Sequence, residues 1–177
     1  GDVYKRQVNM LPEFIARDQQ LEPILNFTGL DGVTLNTSVQ VAREASLTSL
    51  VGFYRILDQN GTVRDPISGT ALVPGDKNYA KVALDPSNLV GIRKFSAENN
   101  RTNLFENLSI AESGYIAPYA QVEGGETFFA YGLANSDGNS HFKMFGQNVI
   151  GLEDLAGKKS DFDYDDLLVA FHFNSVI

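Results

Sequence analysis

The chain has 177 residues, a length that suits one compact domain with a proper core and argues against two. Its hydrophobic fraction of 43% and charged fraction of 20% are those of a folded protein, which excludes disorder, collagen-like repeats and a coiled coil. Fourteen basic against twenty-two acidic residues give a net charge of −8, so nucleic acid and anionic lipid would be repelled and cations attracted. The absence of cysteine removes disulfides, thiolate chemistry, Cys-based zinc sites and iron–sulfur clusters.

In chain order, residues 1–7 read as a non-native lead-in, with Gly1 like a tag-cleavage scar, and residues 8–177 as the single domain. Residues 12–21 predict a short helix. From residue 33 to 42, Val33, Leu35, Thr37, Val39 and Val41 alternate with Thr34, Asn36, Ser38, Gln40 and Ala42, the period-2 pattern of a half-buried strand. Residues 49–57, 113–122, 126–134, 141–145 and 167–173 read the same way, being rich in Val, Ile, Phe and Tyr between Gly, Pro, Asn and Asp. A second short helix is expected over residues 79–84, entered through Pro74-Gly75-Asp76. Asn60-Gly61 and Asp137-Gly138 each predict a hairpin turn. Many short strands at roughly ten-residue intervals predict an all-β sandwich with one or two short helices. Apolar runs such as Leu167 to Phe171 fall far short of the roughly 18 residues of a membrane span, and no signal peptide opens the chain. The expectation is no membrane insertion.

The chemistry concentrates late. Residues 153–166 hold Glu153, Asp154, Asp161, Asp163, Asp165 and Asp166, six of the 22 acids in a window where even spreading would place fewer than two. In an extended segment Asp161, Asp163 and Asp165 point one way while Phe162, Tyr164 and Asp166 point the other. Like charges on one side need a counter-ion. Calcium fits best, because it takes six to eight hard oxygen ligands in flexible geometry. An EF-hand does not fit: aligned on Asp161, its sixth position is Asp166 instead of Gly and its twelfth is His172 instead of Glu. The bland alternative is a solvated acidic loop without metal, against which stand the interleaved aromatics and the core strand that follows. Asn135-Ser136-Asp137-Gly138-Asn139 offers further oxygens, although any tight turn favours these residues. If both segments share one end of a sandwich, Asn135, Asp137 and Asn139 join the ligand set. Ser136, Asp137 and Gly138 then form one wall of a ligand pocket, with Asp76 and Tyr79 as a second wall.

Several of these runs carry a resemblance. Val51-Gly52-Phe53-Tyr54-Arg55, Pro74-Gly75-Asp76 with Tyr79-Ala80, Phe129-Ala130-Tyr131-Gly132-Leu133-Ala134-Asn135, and Gly151-Leu152-Glu153-Asp154-Leu155 followed by Asp161-Phe162-Asp163-Tyr164-Asp165-Asp166-Leu167 resemble a bacterial domain family long described as of unknown function. Its members occur in large secreted RTX adhesins, and the closest described relatives are calcium-dependent peptide-binding domains. The resemblance spans roughly residues 33–173. Leu152 stands where the family often has Phe, Asp165 where it often has Asn, and Lys158-Lys159-Ser160 replaces a glycine-rich link. It implies a calcium-filled β-sandwich at the bacterial cell surface that holds the free C-terminal carboxylate of a partner polypeptide on a host or neighbouring cell. The module would be monomeric within a larger adhesin, serving adhesion and biofilm formation. A calcium-dependent carbohydrate-binding module and a purely structural spacer are the alternatives.

An enzyme is not expected. The chain offers only His141 and His172, no Gly-x-Ser-x-Gly elbow and no His-Glu-x-x-His helix. His172, in the run Leu168, Ala170, His172, reads as a satisfied core or rim residue. Paired carboxylates about 5 to 9.5 Å apart can hydrolyse glycosides, but these acids are too many and too clustered for that geometry.

Overall fold

The computed structural model describes residues 22–146, 148–157, 160, 161 and 163–177. The lead-in at residues 1–7 and the helix expected over residues 12–21 lie outside them, as do Lys158, Lys159 and Phe162. Two antiparallel sheets pack face to face as a β-sandwich. Strands β1 (Leu25–Phe27), β7 (Gly114–Val122) and β3 (Ser49–Ile56) form one sheet in that order, with β8 (Thr127–Phe129) also paired to β7. The other runs β6 (Thr102–Ile110), β2 (Leu35–Arg43), β11 (Leu167–Val176), β10 (Val149–Leu152) and β9 (Phe142–Met144). A small hairpin, β4 (Val63–Arg64) with β5 (Ala71–Leu72), and one short helix, α1 (Tyr79–Ala83), complete the regular elements described. No described helix is long and apolar enough to cross a membrane.

The five-stranded sheet follows the alternation closely. Leu35, Thr37, Val39 and Val41 of β2 and Leu167, Val169, Phe171 and Phe173 of β11 point inward and are buried. They meet Phe53 from the other sheet, whose ring stands edge-on to Phe171 at 5.5 Å and to Phe95 at 6.4 Å. This places His172 on the outer face with Leu168 and Ala170, exposed, which corrects its reading as a core or rim residue. The period that buries Phe171 and Phe173 necessarily turns His172 to solvent.

The four-stranded sheet is buried on both faces. Its second face carries Tyr54 and Tyr119 and is covered by the excursion between β3 and β6, where Tyr79 of α1 meets the Tyr54 ring at 6.5 Å and its hydroxyl at 3.0 Å. Gly52 makes room there, since a Cβ on it would meet the Tyr119 ring at 2.5 Å.

Neither expected hairpin forms a paired ladder. The Asn60-Gly61 turn does reverse the chain, with the Leu57 N–H donating to Thr62 O at 2.8 Å, but β3 pairs with β7 and β4 with β5. The Asp137-Gly138 turn carries the chain from β8 in one sheet to β9 in the other. The strand expected over residues 126–134 is confined to Thr127–Phe129 and gives way to a 3-10 turn at Gly132–Ala134. Gly132 permits this, because a Cβ there would sit 2.6 Å from Gly138 O.

Candidate metal centre

The acidic segment is the connection between β10 and β11, an antiparallel pair whose last rung is Leu152 with Leu167. Glu153 and Asp154 therefore leave the end of β10 beside the point where Asp166 enters β11. Asp166 is pinned from three directions. Its N–H donates to Leu152 O at 3.1 Å, its carbonyl accepts from Glu44 N at 3.1 Å, and its Oδ2 accepts from Asp154 N at 2.9 Å. Between these ends Tyr164 adopts φ +59°, an uncommon value outside glycine.

That backbone angle changes which acids converge. The expected split of Asp161, Asp163 and Asp165 from Asp166 requires an extended segment, and Tyr164 at φ +59° is not extended. Instead, oxygens of Glu153, Asp154 and Asp166 lie within 4.8 Å of one another; so do those of Glu153, Asp161 and Asp163, and those of Asp163, Asp165 and Asp166. Each group could hold a metal ion. All six acids predicted from the sequence fall in these groups, and Glu153, Asp163 and Asp166 each belong to two.

Gly151 is the reason the loop can fold back over the sheet. A Cβ on it would collide with Tyr164 O and stand 2.5 Å from the Phe145 ring. Gly151→Ala is expected to destabilise the fold by roughly 1–3 kcal/mol through overpacking against backbone. It should also weaken metal uptake by displacing Tyr164 and its acidic neighbours. Thermal melts with and without metal check both.

Burial sorts the acids. Glu153 is 1% and Asp154 5% exposed, whereas Asp161 and Asp163 are exposed and Asp165 and Asp166 intermediate. Glu153 Oε1 accepts from Leu155 N at 3.1 Å, but Glu153 Oε2 and Asp154 Oδ2 are buried with no hydrogen-bond partner among the described residues. Buried carboxylate oxygens without partners are costly, and a cation is the direct remedy. The titration behaviour agrees. Desolvation, then the facing Asp161 and Asp166, push Glu153 up to about 8. Desolvation and Asp166 push Asp154 up to about 7, against the pull of Arg43. Asp163 rises to about 6 through desolvation and its neighbours Asp165 and Asp161. Asp161 moves down, chiefly through its interaction with Glu153 and the hydrogen bond from Asp163 N.

The Asn135–Asn139 turn does lie at the same end. Asp137 Oδ2 accepts from Gly157 N at 3.1 Å and lies 2.9 Å from His141 Nε2, while His141 Nδ1 donates to Glu153 O at 2.7 Å. Tyr164 Oη donates to Ser140 O at 3.1 Å. Within the turn, however, Asn135 Oδ1 and Asp137 Oδ1 are engaged locally. Asn135 Oδ1 accepts from Phe129 N and its Nδ2 donates to Phe129 O and Asn139 O, each at 2.8 Å. Asp137 Oδ1 accepts from Asn139 N, and Asn139 Nδ2 donates to Asp137 O. Burial raises the Asp137 carboxyl, but hydrogen bonds from Asn139, Gly157 and His141 outweigh it and leave the group below its usual range. Asp137 thus stands beside the acidic groups and belongs to none of the three, with Asn135 and Asn139 in the same turn.

Of the remaining pocket residues, Ser136 is exposed with its hydroxyl on Glu126, and Gly138 makes the tight turn at φ +73°. Asp76 is exposed and accepts from Val73 N at 2.8 Å. Tyr79 is buried beneath, donating to Gly61 O at 2.5 Å. His141, weighed in the sequence only as a catalytic base, is fully buried and stacked on Phe128 at 3.7 Å, and it couples Asp137 to the backbone of Glu153. Its spacing four residues after Asp137 is the one signal for it.

Fold and site define an antiparallel β-sandwich with clustered carboxylates at one end that could bind metal. No protein-family model, curated protein or solved structure matches the chain.

Proposed function

We propose that the chain is a calcium-dependent binding module of a bacterial surface protein that holds the free C-terminal carboxylate of a partner polypeptide. The observation that carries the calcium reading is the pair of buried oxygens, Glu153 Oε2 and Asp154 Oδ2, that have no partner among the described residues and are set against Asp166. Hard oxygens in number favour calcium over zinc, and their irregular arrangement favours it over magnesium. The buried group of Glu153, Asp154 and Asp166 suits a structural ion. The group of Asp163, Asp165 and Asp166 lies nearer solvent, where an ion would keep coordination positions for an outside ligand. A peptide carboxylate would fill such positions with two oxygens, and the module would act by binding, without turnover. The resemblance to adhesin domains supports the surface location and the peptide ligand.

A C-terminal peptide library and a glycan array, each run with calcium and with chelator, test the reading. Calcium-dependent capture of peptides with a free C-terminus, lost on amidation, is expected. Capture of glycans instead would assign a carbohydrate-binding module, and capture of neither a spacer.

Two substitutions should separate the roles of the two segments. Asp163→Ala removes an exposed oxygen shared by two groups, so calcium and peptide affinity should fall about tenfold or more with little change in the metal-free melt. Asp137→Ala leaves buried His141 Nε2 without its partner and the Gly157 N–H without its acceptor, and should cost about 1–3 kcal/mol of stability without calcium. Calorimetry and melting of both variants check this.

A further inference from the structure

A cavity of about 420 Å³ lies between Val73-Pro74 and the stretch from Ala130 to Leu133, with Glu22 and Asn60 also lining it. Its residues are separate from the acidic groups that bear on calcium. Val73 and Leu133, 48% and 76% exposed, are large apolar side chains open to solvent at its rim. Tyr131 is buried and held in place, its hydroxyl donating to Gln59 O at 2.9 Å and its ring edge against the Cα of Gly61. The segments are close-fitted: a Cβ on Gly75 would touch Leu133 at 3.4 Å.

Glu22 is the one charged side chain among the described lining residues. It is half-buried, burial alone holds its carboxyl above the usual range, and no described cation pairs with it. An apolar rim with a single desolvated carboxylate suits a particular ligand: a long apolar stem ending in a cation. A neutral apolar side chain would leave Glu22 unpaired, and an acidic one would be repelled by it and by the net charge of −8. Arginine fits better than lysine, because its planar guanidinium can grip a carboxylate with two hydrogen bonds and lie against an aromatic ring.

We infer that this cavity receives an arginine side chain of a partner polypeptide, its stem along Val73 and Leu133 and its guanidinium on the Glu22 carboxylate beside Tyr131. The site does not depend on calcium. Ser140, which also lines the cavity, accepts a hydrogen bond from Tyr164 of the acidic loop, so the two sites adjoin and one partner could reach both.

The test titrates the full chain with acetyl-Gly-Arg-Gly-amide, a peptide without a free carboxylate, and follows backbone amide shifts by NMR in chelator. Saturable shifts at Val73, Tyr131 and Leu133 with a millimolar Kd are expected. Replacing arginine by norleucine, or introducing Glu22→Gln, should weaken binding by about fivefold or more. Leu133→Ser, at an exposed position that leaves the fold intact, should weaken it by about threefold through the lost stem contact. Absence of shifts at the cavity, or equal affinity for the norleucine peptide, would overturn the inference. So would tighter binding by Arg17→Gln, which would mean that the chain's own amino-terminal arginine occupies the cavity. None of these outcomes bears on calcium uptake, which the calcium titrations read separately.

Discussion

Calcium at about 10 mM is expected to raise the midpoint of thermal unfolding by roughly 5–10 °C over the chelated protein. The size follows from linkage. With a Kd near 0.1 mM, common for extracellular calcium modules, a hundredfold excess of ion contributes about 2.7 kcal/mol, and a chain of this length gains about 2–4 °C per kcal/mol. The structural reason is that Glu153 and Asp154 are buried with oxygens that no donor of the described residues reaches, so the metal-free state bears a penalty that the ion removes. Magnesium at the same concentration should shift the midpoint less, since it gives up its waters reluctantly. Melting curves in chelator, magnesium and calcium, with calorimetric titration, make the comparison. Equal midpoints in all three with no heat of calcium binding would return residues 153–166 to the status of an ordinary acidic loop.

The acids of that loop are legible in sequence because carboxylates so dense repel one another in any conformation, whatever the fold. Their partition is not legible, because it depends on one backbone angle. Tyr164 at φ +59° brings Asp163 to Asp165 and Asp166, where an extended reading sends Asp166 to the opposite side. The same kind of local exception hides β6. Its register against β2 shifts between Thr37 and Val39, beside Asn107 at φ +57°, so Phe105 and Leu108 face the core three residues apart and period two fails. Strands without such interruptions, β2 and β11, stand out by alternation alone. β3 is recognisable by composition although it is buried on both faces, whereas β10 is four residues long and contains a glycine. The hairpin expectations fail for a nonlocal reason: a turn residue specifies a reversal, but which strand the chain then pairs with is decided by neighbours such as β7, far along the sequence.

Without calcium, stability should fall as pH rises from about 5 to about 9, opposite to the usual course for carboxylates held in salt bridges. In the folded chain Glu153 is pushed up to about 8 and Asp154 to about 7, from 4.5 and 3.8 in the absence of the fold. Between those limits the folded state binds more protons than the unfolded one, so its stability is fully present below about pH 4 and is lost as pH passes through 7 and 8. The two groups interact through Asp166, so their contributions do not add independently, and a combined loss on the order of 3 kcal/mol, or roughly 6–12 °C, is expected. Calcium should reverse the trend. Its binding displaces the same protons, so the calcium-induced rise in midpoint should be small near about pH 5 and largest near about pH 8.5, with protons released on titration in weak buffer. Glu153→Gln separates the causes. It keeps an oxygen for Leu155 N, and its amide can donate to Asp161 or Asp166 where Oε2 now has no partner among the described residues. The metal-free variant should therefore melt above the parent at about pH 8.5, while most of the response to calcium disappears. A parent protein whose metal-free midpoint is level across this range would show that the buried carboxyls are not held protonated. A variant that melts below the parent at high pH would show that Glu153 is ionised and already neutralised within the fold.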